Sequence, residues 1–196
     1  MKALLLPLLL ASACATASVP AYVTLKGMPP RLNPNGYTIP LPQAGMWLEH
    51  SSRDGVMYIR ETDERESTMF VSVEDVAMPQ AQPSGQALRD FVHARVEPAG
   101  AADRVNTEPV TTRLRMDARL SNCVRWRQTA VDLMSVNPVT QSHPQVHMGG
   151  MFCVNEHNPA TAIHVYYSIH RMAPEKADGL TAEGEAFLSG VRRKTP

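Results

Sequence analysis

Leu120-Ser121-Asn122-Cys123-Val124-Arg125-Trp126-Arg127-Gln128 decides the fold. In an extended chain successive side chains point to opposite faces. Leu120, Asn122, Val124, Trp126 and Gln128 then share one face, and Ser121, Cys123, Arg125 and Arg127 share the other. Four long strands are predicted in this half of the chain, over residues 105–116, 119–134, 146–154 and 162–171. If the chain turns through Asn137-Pro138 and the second of these strands runs antiparallel to the third, Cys123 and Cys153 lie about equally far from the turn. A disulfide between them would pin that hairpin at its open end.

Outward toward the N-terminus the period changes. Leu88, Phe91, Val92 and Val96 recur at helical spacing, with Arg89, Asp90, His93 and Glu97 on the other side, Ser84 as the candidate cap and Pro98 and Gly100 as the stop. Before this helix, Val56-Met57-Tyr58-Ile59-Arg60 and Thr68-Met69-Phe70-Val71-Ser72-Val73 read as strands, because β-branched and aromatic residues fit a pleated surface. The charged stretch 61–66 between them reads as a hairpin loop. Residues 37–40 and 46–50 are shorter strands, with flanking prolines that suit sheet edges. At the other end a second helix starts near Thr181, with Phe187, Leu188 and Val191 on one face and Arg192, Arg193 and Lys194 at its negatively polarised end. Grouped strands between isolated helices define an α+β class: a mostly antiparallel sheet of about six to seven strands with two amphipathic helices.

The first residues are not part of that domain. Met1 and Lys2, an apolar run to Leu10, and the small residues Ala11, Ser12 and Ala13 make a secretory signal. The run is about half of the roughly 20 residues that a membrane span requires. Leu10-Ala11-Ser12-Ala13-Cys14 resembles the lipobox of bacterial prolipoproteins, with Ala11 where leucine is usual. The resemblance implies cleavage before Cys14, lipidation of that cysteine by diacylglycerol and a palmitate-type acyl chain, and a cell-envelope location, the outer membrane facing the periplasm. The alternative is cleavage after Ala15-Thr16-Ala17, which would release a soluble periplasmic protein. The expected organisation is a signal peptide over 1–13, an extended proline-bearing tether over 14–35, and a single domain over 36–196. The opening Gly36-Tyr37-Thr38-Ile39-Pro40-Leu41-Pro42, the element order and the last helix are similar to PsbP-like envelope lipoproteins, which implies a sandwich of that type.

Charge gives no lead to a polyanionic partner, since 19 basic residues balance 19 acidic ones and nucleic acid is not expected. With Cys14 assigned to lipid, Cys123 and Cys153 remain as a pair in an oxidising compartment, where a disulfide is the expected state. The chain has no Gly-x-Ser-x-Gly elbow, no His-Glu-x-x-His helix and no glycine-rich phosphate loop. It reads as non-enzymatic, and no cofactor is implied.

Two other patterns are candidates. His143, His147, Met148 and Met151 carry imidazole and thioether groups suited to copper or zinc. His164, Tyr166, Ser168 and His170 alternate along one strand and should emerge on one face as a surface for a partner. The expected function is therefore a membrane-tethered module for protein binding or envelope maintenance. An immunity or inhibitor lipoprotein acting on a periplasmic toxin, and a copper or zinc binding protein, are the alternatives.

Overall fold

A computed structural model describes residues 22–33, 35–43, 45–51, 55–61, 67–78, 85–99, 107–136, 141–171 and 178–194. The signal peptide, Cys14, most of the acidic loop at 62–66, Ser84 and the 137–140 turn lie outside the described residues. Within them the chain runs β1 (Tyr22–Val23), β2 (Arg31–Asn33), β3 (Tyr37–Ile39), β4 (Trp47–Ser51), β5 (Gly55–Glu61), β6 (Ser67–Ala77), α1 (Gly85–Ala99), β7 (Thr107–Met116), β8 (Cys123–Asp132), β9 (Gln145–Val154), β10 (Thr161–Arg171), α2 (Asp178–Gly190) and β11 (Arg192–Arg193). The α+β class holds. One antiparallel sheet is ordered β1-β4-β5-β6-β10-β9-β8-β7, seven long strands extended by the two-residue β1, and a small second sheet is ordered β11-β3-β2.

Alternation along the strands gives the large sheet two apolar faces, and each helix takes one. Leu88, Val92 and Val96 of α1 bury against Val124, Trp126, Ala130, Val146, Met148 and Phe152. Phe187 and Leu188 of α2, with Val191 behind them, bury on the opposite face against Met151, Ile163, Val165 and Tyr167, in a core that also takes Tyr37, Ile39 and Leu41 of the small sheet and its flank.

Two adjacent glycines allow this double packing. A Cβ at Gly149 would lie 2.7 Å from the Tyr167 ring on the α2 side, and one at Gly150 would lie 2.4 Å from the Trp126 indole on the α1 side. Gly184 of α2 closes on the same Tyr167 ring, where a Cβ would lie 2.5 Å away. The helix can therefore approach the sheet only where it lacks a side chain.

Three expectations are corrected. Residues 22–33 are not a free tether: Tyr22 and Val23 pair with Leu48 and Trp47, Arg31–Asn33 pair with β3, and Leu25 is 1% exposed in the core. The packed domain therefore begins by Tyr22 rather than at Gly36. Residues 117–122 are a turn rather than the start of a strand, closed by Asp117 N–H to Cys123 O and Cys123 N–H to Leu120 O at 2.9 Å each. Arg192 and Arg193 leave the helix end and pair as β11 with Thr38 and Tyr37, although Arg192 still donates to the Ser189 carbonyl at the end of α2.

Cys123 faces Cys153 directly in the β8–β9 register, their Cα atoms are 4.1 Å apart, and a disulfide joins them. Both are fully buried. Closing a loop across 30 positions stabilises the fold by about 3 to 4 kcal/mol through loss of unfolded-chain entropy.

Candidate functional site

β7 and β8 leave part of the α2 face of the sheet open. The tight Asp117 turn sets their register so that Arg113 lies opposite Arg127 and Arg115 opposite Arg125. Like charges directly opposite one another on adjacent strands destabilise a sheet, so this arrangement opposes folding unless counter-charges are supplied.

Two carboxylates supply them. Asp117 accepts from Arg125 Nε at 2.5 Å and from the N–H groups of Arg119 and Leu120 at 2.8 and 2.9 Å. Burial alone would raise its pKa, but these donors outweigh it and hold the carboxyl below its ordinary value. Glu185, on the wall formed by α2, accepts from Arg127 Nε at 2.8 Å and Tyr167 Oη at 3.0 Å, and pairs with Arg125 Nη1 at 3.3 Å. Its pKa is lowered as well, burial again being overcome by Arg127, Tyr167 and Arg125. Tyr167 responds in the opposite sense: burial and the neighbouring Glu185 charge raise its phenol.

The result is a groove of about 480 Å³ lined by Arg113, Arg115, Arg125, Arg127, Glu185 and Leu188. Arg125 is 9% exposed and fixed from both ends, so it serves as floor. Arg113 and Arg115 are exposed and have no acidic partner among the described residues. Four guanidiniums face two carboxylates, and Arg119 leans on the already shared Asp117 at 3.7 Å. Guanidinium forks match carboxylate and phosphate geometry, and they hydrogen-bond bidentately where both edges align. The groove can therefore hold an anionic group.

The residues singled out from sequence are placed differently. His164, Tyr166, Ser168 and His170 do share one face, the α1 face, but they are engaged within the protein. His164 stacks on Phe152 with ring centroids 3.9 Å apart and on Tyr166 at 4.6 Å. Trp126 Nε1–H donates to its Nε2 at 3.2 Å, and Glu74 lies 3.5 Å from its Nδ1. Ser168 is completely buried and His170 sits 3.6 Å from Asp132. His143, His147, Met148 and Met151 are not brought together. Met148 and Met151 belong to cores on opposite faces of the sheet, His143 lies in the exposed 141–143 segment against the Ser135 carbonyl, and His147 is half-buried in β9, its pKa lowered by burial and Arg171. The odd spacing between 148 and 151 sends the two thioethers through different faces, so these four side chains do not converge on one point.

The arginine groove was missed from sequence although half of it was written there. Arg113-x-Arg115 and Arg125-x-Arg127 repeat the same spacing in successive strands. Their register, and Glu185 from a distant helix, are tertiary facts. Compared with family models and with curated proteins, the chain matches none.

Proposed function

We propose that the protein is a lipid-anchored, non-enzymatic binding module of the bacterial cell envelope, held at the membrane through acylated Cys14 and recognising an anionic partner at the groove between β7, β8 and α2. One observation carries the recognition: guanidiniums outnumber carboxylates in the groove, and the two without acidic partners among the described residues, Arg113 and Arg115, are both exposed. Nature of the opening residues carries the anchor, since a short cationic and apolar segment ends in small residues before Cys14. A module held by two or more acyl chains stays at its membrane and meets partners at high local concentration.

The test is site-specific photo-crosslinking in intact cells of the source bacterium. A crosslinker at position 115 should give a discrete adduct that disappears when Arg113 and Arg127 are replaced by Glu, whereas one at the exposed Arg89 of α1 should give none. Equal labelling at both positions, or an adduct indifferent to the charge reversals, would sink the reading. Mass spectrometry of membrane fractions should find an acylated N-terminal Cys14; a mature protein beginning at Ser18 would remove the anchor.

A further inference from the structure

β7 is the outermost strand of the large sheet, paired with β8 and with no other strand among the described residues. An edge strand offers a row of backbone donors and acceptors to any extended chain of suitable pattern, and proteins ordinarily protect such edges. Here the first part of the edge is protected: the register slips between Pro109 and Thr111, and proline removes a donor. From Thr111 to Met116 no bulge or proline is present, and the charges of Arg113 and Arg115 bar the edge to chains that bring no acidic counter-charge. The exposure pattern there is strictly alternating, with Thr111, Arg113 and Arg115 exposed and Thr112, Leu114 and Met116 half-buried on the side that α1 covers.

Resting on the anionic recognition proposed above, we infer that the partner binds as an additional strand on this edge: an extended segment alternating acidic and small apolar residues, paired along Thr111–Met116. Same-face residues on a strand are about 6.8 Å apart, so Arg113 and Arg115 match acidic side chains two residues apart on the incoming chain. Opposite charges across the new pairing then offset the like-charge pairs behind them, Arg113 with Arg127 and Arg115 with Arg125. The apolar side chains of the segment cover the half-buried Leu114 and Met116. Backbone pairing supplies affinity and alternate side chains supply specificity in this mode of recognition. A second copy of the same edge is the wrong partner, because antiparallel self-pairing would bring one arginine row against another.

The experiment uses the mature protein and two labelled octapeptides of equal composition, one alternating Glu and Val and one with four Glu followed by four Val. The alternating peptide should bind at least tenfold more tightly, and Arg113→Glu with Arg115→Glu should abolish its binding. Two further versions carry N-methyl groups on alternate backbone amides, one set on each edge of the peptide. Strand addition requires one N-methyl isomer to lose at least tenfold in affinity and the other to retain it, with slowed amide exchange over 111–116. Equal affinity of the two N-methyl isomers, together with displacement by pyrophosphate, would overturn strand addition and leave anionic recognition standing. Indifference to the charge reversals would overturn both, and dimerisation of the protein through β7 in sedimentation would overturn the choice of partner.

Discussion

Two polar clusters sit on opposite faces of the same sheet, and their balance differs. On the α1 face, Glu74, His164, Trp126 and Tyr166 form a closed set. The indole N–H is only a donor, so its bond to His164 Nε2 leaves Nδ1 to carry the proton toward Glu74, and Tyr166 Oη donates to the other carboxylate oxygen at 3.0 Å. Every heteroatom of the imidazole is committed and its ring faces are stacked. On the α2 face, the arginines exceed their carboxylates and the outer ones point to solvent. A histidine beside a carboxylate is the usual sign of chemistry, yet here it is the satisfied cluster that holds the fold and the unbalanced one that is available to a partner.

The sharpest way to break this contrast is at the one arginine that belongs to the interior. Arg125→Met would leave Asp117, whose side chain is 3% exposed, buried beside an apolar group. Removing one partner of a buried pair costs about 3 to 5 kcal/mol, and urea denaturation should show a loss of that order. Arg125→Met combined with Asp117→Asn should lose less, because the uncompensated charge is gone. A loss under about 1 kcal/mol for the single variant would mean that Asp117 is held by its backbone donors alone.

On the other face the matching perturbation is steric. Gly150→Ala places a methyl 2.4 Å from the Trp126 indole, and overpacking of this kind costs about 1 to 3 kcal/mol. Displacement of the indole also breaks its bond to His164, so the variant should shift tryptophan emission as well as the denaturation midpoint. An unchanged spectrum would show that the indole and His164 are not coupled.

Acid should separate the clusters further. Asp117, Glu185 and Glu74 all have carboxyls held below their ordinary values, Asp117 by backbone donors and Arg125, Glu185 by Arg127, Tyr167 and Arg125, and Glu74 by His164, Tyr166 and Ser72, each against the opposing effect of burial. A depressed folded-state pKa contributes stability that is complete above the unfolded value, about 4, and is lost as pH falls through the folded value. Stability should therefore fall below about pH 4. Asp117→Asn should flatten that fall more than Glu74→Gln, since the Glu74 side chain is 36% exposed and water screens it. At the alkaline end Tyr58, whose phenol burial pushes up to about 12, favours the folded state until pH rises from about 10 toward that value. The same slope for the two carboxylate variants would contradict the ranking.

The strands and helices were legible because they rest on periodicity: the alternation at 123–128 and the helical spacing of Leu88, Val92 and Val96 each reappear as one face of one element. The cysteine pair was legible because two antiparallel strands of equal length place equidistant residues opposite each other. What failed depended on contacts distant in sequence. The 22–33 segment looks like a tether because its prolines hide two short strands whose partners, β4 and β3, lie 24 to 26 and 4 to 8 positions away in register. The histidine row reads as a surface because alternation fixes a face but not what covers it. The groove arginines are hidden because overall neutrality conceals local excess, and Glu185 enters only through the packing of α2 on Tyr167.

The smallest expected change in stability is the most informative for the contrast. Arg113→Gln with Arg115→Gln removes two exposed cations that have no acidic partner and relieves their opposition to Arg127 and Arg125. Surface substitutions away from buried partners stay within about 0.5 kcal/mol, and the lost repulsion biases the sign toward stabilisation. Urea midpoints should be unchanged or slightly raised, while the alternating acidic peptide should bind at least tenfold more weakly. A loss of stability beyond about 1 kcal/mol would place these arginines with Arg125 in the framework of the fold. The unequal response of binding and stability is what separates a surface kept for a partner from one kept for folding, and the same pair of measurements on His164→Phe should give the reverse: stability reduced, peptide binding intact.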